Sequence, residues 1–401
     1  MALEMSIYCA FAMKFAARIQ NLKSEGAYRV MGLAQALEKE GQDIVHLEIG
    51  QPDFSTFPPI AEEGKRAIDA GFTRYNPPEG YSDLREAIAN YSKTRGIHAS
   101  PSQVVVGPGT KPVLLFPLLA LLEKGDEVLF PNPGFPSYPA DIEIAGGIPV
   151  SVPLVEANSF SFDLDELESR ITEKTKLLIL NSPANPTGGV IAKADLMAIA
   201  ALAKKYDFWV LSDEIYSRLV YSDSPANSIY TLEGMSERTL IVDGFSKSYA
   251  MTGWRLGYAI MPEVLAEKVS LLLTHAVGCT AGFTQRAGIV AIQQCDEPVH
   301  DVVKTYQQRR NEFVHGLNQI DGFNCRLPEG AFYAFPNVSE VGIPSSILAK
   351  KLLNEAGVAC LSGTDFGING EGYLRFSYAA SKEQLAKAVD RIGTFVSKIN
   401  K

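Results

Sequence analysis

The sequence predicts an α/β fold: a large domain with a mainly parallel seven-stranded sheet flanked by helices, plus a smaller, discontinuous α+β domain. Three observations predict it. At 401 residues the chain exceeds what one simple core accommodates. From about Pro101 to Pro262 short apolar, β-branched runs alternate with helical patterns, as parallel strands joined by crossover helices require. Beyond about residue 298 that alternation gives way to long helices separated by short extended segments.

In chain order, residues 1–26 read as an N-terminal extension or arm. Met1 to Ala12 is apolar but has neither a basic start nor a cleavage site, so it is not read as a signal peptide, and no function follows from it. Ala27 to Glu48 reads as a helix and a strand, which join residues 298–401 to give a small domain of 27–60 and 298–401 around a large domain of 61–297. The seven expected strands are Gln103 to Val106, Glu127 to Pro131, Ile148 to Val152, Thr175 to Leu180, Phe208 to Ser212, Thr239 to Asp243 and Arg255 to Ile260. Lys111 to Leu122, Asp163 to Ile171 and Lys193 to Lys205 have the lengths of crossover helices. A long helix (Val299 to Gln319), extended segments at Asn324 to Leu327 and Ala331 to Pro336, a further helix, a strand around Tyr373 to Ser377 and a terminal helix complete the chain.

Composition narrows the function. A net charge of −9 disfavours a broad nucleic-acid or acidic-membrane surface, and no stretch is long enough to span a bilayer. Five scattered cysteines, none in a CxxC pair, suggest neither a disulfide framework nor a zinc site; they fit a reducing, cytoplasmic setting. Five dispersed histidines form no HExxH pair, so no metal is expected. The expected partners are small molecules.

The residues that carry chemistry cluster after apolar strands. In Asp243-Gly-Phe-Ser-Lys-Ser-Tyr-Ala-Met-Thr-Gly-Trp-Arg-Leu-Gly257, Phe245, Tyr249, Met251 and Trp254 surround Lys247, and a desolvated amine favours its neutral, nucleophilic form. Asp213 closes the strand beginning at Phe208, where it either meets a ligand at the carboxyl end of the sheet or caps a following helix. Gly107-Pro-Gly-Thr-Lys111 links a strand to a helix N-terminus, a setting that stabilises phosphate without being a Walker loop. Asn181-Ser-Pro-Ala-Asn-Pro-Thr-Gly188 reads as a rigid turn. Arg375, in Gly372-Tyr-Leu-Arg-Phe-Ser-Tyr378, either clamps a carboxylate with its planar fork or closes an internal salt bridge.

The Lys247 run resembles the lysine signature of class-I/II aminotransferases, the aspartate aminotransferase-like enzymes of fold type I, and the resemblance extends from roughly Gly50 to Arg375. It implies a transaminase that uses pyridoxal 5'-phosphate to move an amino group between an L-amino acid, of aspartate type among others, and a 2-oxo acid such as 2-oxoglutarate. It makes Lys247 the Schiff-base lysine and proton shuttle, Asp213 the partner of the pyridine nitrogen, and Tyr216 and Asn185 the donors to the ring's phenolic oxygen. Gly109, Thr110 and Lys111, with Arg255, would cradle the phosphate, and Phe135 would stack on the ring. Gly244 stands where many members carry a phosphate-binding serine, leaving Ser246 or Lys111 as substitutes. Arg375, assisted by Gly50 and Asn185, would hold the substrate α-carboxylate, and Tyr75 would reach the neighbouring subunit's site in a homodimer. The resemblance also implies cis bonds at Asn132–Pro133 and Asn185–Pro186. A β-lyase on the same fold and a non-enzymatic sensor module are the alternatives; no basic helix-turn-helix segment supports the latter.

Overall fold

The computed structural model describes residues 15–20, 22, 24–222 and 226–399; Met1 to Ala12, including Cys9, lies outside them. The described chain opens with helices α1 (Ala17–Gln20) and α2 (Gly26–Lys39) and strand β1 (Val45–His46), followed by helices α3 (Pro58–Asp69) and α4 (Ser82–Lys93). Two prolines start α3, where a missing backbone N–H leaves no hydrogen bond unmade.

The central sheet is built from β2 (Val104–Gly107), β3 (Glu127–Asn132), β4 (Ile148–Val155), β5 (Ser161–Phe162), β6 (Thr175–Asn181), β7 (Trp209–Asp213), β8 (Thr239–Gly244) and β9 (Gly257–Ile260). Helices α5 (Thr110–Leu121), α6 (Ser137–Ile144), α7 (Leu164–Ser169) and α8 (Lys193–Lys205) lie between them. The strand order is β2-β9-β8-β7-β6-β3-β4-β5, with β4, β3, β6, β7 and β8 parallel and β9 antiparallel between β2 and β8. The sheet therefore has eight strands against the seven expected. The extra one, β5, is a two-residue antiparallel edge strand, too short to show any periodicity. Alternate residues of the parallel strands feed two separate cores: Leu177, Ile179, Leu211 and Leu240 pack on one face, Leu178, Leu180 and Val210 on the other. Burial on both faces is why these strands read as continuous apolar runs.

The rest comprises α9 (Glu263–Ala276), α10 (Gly282–Gln294), α11 (Asp296–Leu317), β10 (Tyr333–Ala334), α12 (Ser345–Ala356), β11 (Val358–Ala359), β12 (Leu361–Ser362), β13 (Leu374–Ser377) and α13 (Lys382–Ile399). Strands β10, β13 and β12 form an antiparallel sheet in that order, and β1 pairs in parallel with β11. Ser377 donates its backbone N–H to Leu47 O at 2.8 Å, which ties the segment after β1 to β13. Asn324 to Leu327, expected to be extended, contributes only an isolated bridge between Asn324 and Asn337. Among the described residues no helix is long and apolar enough to cross a membrane, and no His, Cys, Asp and Glu cluster is placed to hold a metal ion.

Candidate active site

Parallel strands end together, so their last residues face one crevice. Asn181 of β6 is level with Asp213 of β7, and Asp213 with Val242 of β8; the chain then runs from Gly244 into the loop carrying Lys247. Beside them Gly107, Gly244 and Gly257 stand level at the ends of β2, β8 and β9. The sheet thus brings residues from four separate stretches of sequence to one edge.

The Lys247 side chain is half-buried, and its Nζ donates to Gly50 O at 2.5 Å. Burial, with the positive charges of Arg375 and Arg255, pushes the amine down to about 8. Asp213 is buried. Its Oδ2 accepts from the Tyr138 hydroxyl at 2.8 Å and its Oδ1 from the Ile215 N–H at 3.3 Å. Burial pushes this carboxyl up to about 6, while both hydrogen bonds oppose the rise. No helix begins after Asp213: residues 215–218 form a turn, so the capping alternative falls and Tyr216 sits on that turn. The Tyr216 and Tyr333 hydroxyls are 2.6 Å apart, and burial holds the Tyr216 phenol well above its ordinary value.

Arg375 is only 3% exposed. Its Nη1 donates to Asn185 Oδ1 at 3.2 Å and its Nη2 to the Glu48 backbone oxygen, while its guanidinium faces the Tyr333 ring at 4.6 Å. No carboxylate of a described residue forms an ion pair with it, which removes the internal salt-bridge reading. Asn185 is positioned through Asn181, whose Oδ1 accepts the Asn185 N–H at 2.8 Å and whose Nδ2 donates to Asp213 O at 3.1 Å. The Asn132–Pro133 and Asn185–Pro186 bonds are cis as expected, and Ser182–Pro183 is cis too.

The glycine-rich turn has the shape of an anion cradle. Gly109 precedes α5 with a positive φ of 91°, and a side chain there would strike the Arg255 guanidinium at 2.3 Å. A Cβ on Gly257 would meet the Thr110 nitrogen at 2.6 Å, so only glycine lets the turn seat on the sheet. The first N–H groups of α5 are free of intrahelical partners, and the Arg255 guanidinium lies against Gly109 at the head of that helix. A Cβ on Gly244 would lie 3.0 Å from the Thr110 methyl and 3.1 Å from Gly257 Cα, which leaves little room for a serine there. Ser246 is buried in the adjoining loop. Lys111 has other commitments: its ammonium pairs with Glu25 and lies 5.6 Å from the centre of the Phe135 ring, which meets the Tyr138 ring edge-on.

The model of the family described as aminotransferase class I and II matches residues 42–392. The chain belongs to that family and is an aminotransferase. It is 43% identical to the aspartate aminotransferase of Pyrococcus abyssi, over 88% of this chain and 91% of that protein. It is 40% identical to aromatic-amino-acid aminotransferase 2 of Thermococcus litoralis, over 94% and 96% respectively. The solved aspartate aminotransferase of Thermus thermophilus with maleate superposes with a TM-score of 0.90 at 35% identity, covering 95% of this chain and 99% of that one.

In this aminotransferase the crevice gathers Lys247, Asp213, Tyr216, Asn185, Arg375 and Gly50, with Gly109, Thr110 and Arg255 at the sheet edge beside them. Tyr75 stands apart on the surface, 97% exposed. Sequence reasoning missed Tyr138, Tyr333, Asn181 and Glu25. Tyr138 lies three residues beyond Phe135 and Asn181 opens the quoted run Asn181 to Gly188, so both stood close to residues already singled out; Tyr333 and Glu25 gave no signal.

Proposed function

We propose that this aminotransferase uses pyridoxal 5'-phosphate and passes an amino group from an L-amino acid, L-aspartate foremost, to 2-oxoglutarate. The observation that carries the reading is a convergence. Lys247 bonds the carbonyl of Gly50 and Arg375 that of Glu48, so an amine and a guanidinium meet on one three-residue segment. An α-amino acid presents its own amine and carboxylate on a single carbon.

The residues fit the cofactor. The Gly109–Thr110 turn with Arg255 suits a phosphate, Asp213 suits a pyridinium N–H, Tyr216 and Asn185 suit a phenolic oxygen, and the half-buried Phe135 offers a ring face. When bound, the cofactor supplies an aldehyde for the amine and an electron sink for the Cα carbanion. Lys247, with its lowered pKa, serves as the covalent anchor and, once released, as the base that moves the Cα proton. Asp213 keeps its negative charge opposite the ring nitrogen because Tyr138 and the Ile215 N–H stabilise the carboxylate. Arg375 and Asn185 orient the substrate carboxylate.

For the second carboxylate of aspartate or 2-oxoglutarate we propose Lys111. Its present partner, Glu25, is itself a carboxylate, and Glu25 is near enough to act electrostatically on Lys247. We further propose a homodimer in which Tyr75 enters the neighbouring site. Arg74, Tyr75, Asn76, Cys279 and Phe283 line a cavity of about 610 Å³ that suits a reciprocal contact. Mixing Lys247→Ala with Tyr75→Ala protein should restore activity, since each hybrid dimer then holds one complete site.

The deciding assay incubates the cofactor-loaded protein with L-aspartate and 2-oxoglutarate. Glutamate and oxaloacetate are the expected products. Ammonia and pyruvate from a cysteine conjugate, with no glutamate from any amino acid tried, would replace amino transfer with elimination.

A further inference from the structure

Arg375 presents an electrostatic problem of its own before any substrate carboxylate reaches it. A guanidinium so deeply buried normally meets a carboxylate, yet its Nη atoms bond a side-chain amide and a backbone carbonyl, and its Nε has no partner among the described residues. One buried carboxylate acts on it electrostatically from the segment Arg375 already holds, that of Glu48. Glu48 is completely buried: one carboxylate oxygen, Oε1, lies 2.8 Å from His46 Nδ1, and Oε2 has no partner among the described residues. The other nitrogen of His46, Nε2, lies 3.1 Å from Glu38, whose side chain is open to solvent on α2. The Nδ1–Oε1 contact joins His46, at the end of β1, to Glu48 in the bend that follows.

We propose that Glu48 is the resident counter-ion of Arg375, and that His46 and Glu38 carry its charge balance outward, so that these three residues set how tightly Arg375 takes a substrate carboxylate. This rests on the reading of Arg375 as the carboxylate clamp. The charges alternate from surface to site: Glu38 negative, His46 positive, Glu48 negative, Arg375 positive.

The electrostatics of the surroundings agree. The hydrogen bond from Glu48 pushes His46 up to about 9 against the cost of its burial, with Glu38 adding to the rise, so the imidazole is cationic at neutral pH. On α13, which packs on β1, the cations Lys387 and Arg391 are taken by Asp43. Burial depresses the Arg375 pKa, and Tyr333, Tyr216, Glu48 and Asp365 counter it. The buried Cys360 thiol feels Glu48 and Arg375 with opposite signs, so both charges bear on one small region. A cationic His46 absorbs part of the Glu48 field and leaves Arg375 available to an incoming carboxylate. A neutral residue in its place turns that field fully onto Arg375, where it competes with the substrate.

The test measures propionate binding to the cofactor-loaded protein by calorimetry near pH 7.5, for the wild type and for His46→Asn, Glu48→Gln, Glu38→Gln and Arg375→Lys. His46→Asn should weaken propionate about fivefold, and Glu38→Gln should weaken it less, since its effect passes through His46. Glu48→Gln should tighten it about fivefold, because Arg375 then has no resident anion, and propionate should raise the Tm of that variant more than that of the wild type. Opposite signs for His46→Asn and Glu48→Gln are the decisive result, because simple damage to packing would weaken binding in both. Should both weaken it, or both leave it within twofold while Arg375→Lys weakens binding more than tenfold, the counter-ion role is wrong and the clamp stands. Undiminished binding in Arg375→Lys would overturn the clamp and the counter-ion together.

Discussion

The crevice has two poles that handle burial differently. At one, Lys247 and Asp213 hang from the ends of the parallel strands; at the other, Arg375 stands on the small antiparallel sheet beside the segment after β1. Both poles lie largely out of bulk water, Asp213 and Arg375 more completely than the half-buried Lys247. At the first, burial draws an amine down to about 8 and a carboxyl up to about 6, into the range where protons are exchanged near neutrality. At the second, burial also lowers the arginine, but a guanidinium starts so high that it keeps its charge. The same desolvation therefore makes one pole an acid–base device and leaves the other a fixed anchor.

The comparison yields predictions of graded size. Lys247→Ala, at the heart of the proton-exchanging pole, should lower kcat about 10⁴-fold in a steady-state amino-transfer assay. Full turnover in that variant would erase the distinction between the poles. Asp213→Asn should lower kcat about 10²–10³-fold with the cofactor still bound. Arg375→Lys should act through binding, raising KM for the amino acid about 10–100-fold with a smaller change in kcat, because one ammonium replaces a two-pronged donor. A loss confined to kcat would show the anchor to be part of the proton chemistry. Tyr138→Phe should cost about tenfold and shift the acid limb of the kcat profile upward, since the hydroxyl holds the Asp213 pKa down.

A pH test sharpens the first pole without mutation. In cofactor-free protein only the neutral amine of Lys247 attacks an aldehyde, so uptake of pyridoxal phosphate should accelerate as pH rises through about 8 and then level off. An acceleration that continued to pH 10 would mean an amine that water still reaches.

The two poles were also unequally legible. The first could be read because its residues sit in local motifs: Lys247 among Phe245, Tyr249 and Trp254, and Asp213 at the end of an apolar strand. Arg375 could be read only to an open choice between carboxylate clamp and salt bridge, since nothing near it in sequence names its surroundings. Its partners, Glu48 and Asn185, lie 327 and 190 residues away. Edge strand β5 was missed because two residues show no period, and the helix that one of the two readings has Asp213 capping is a turn.

By itself the sequence determined the α/β layering, seven of the eight sheet strands and the identity of the chemical groups, because alternation, burial on both faces and glycine turns are local consequences of residue type. The tertiary structure alone decided which hydroxyl supports Asp213, which carboxylate Lys111 meets and which oxygens Arg375 bonds. Those outcomes depend on distances between remote segments, and a charge or a hydroxyl acts on whatever folding brings within a few ångströms, however far apart the residues stand along the chain.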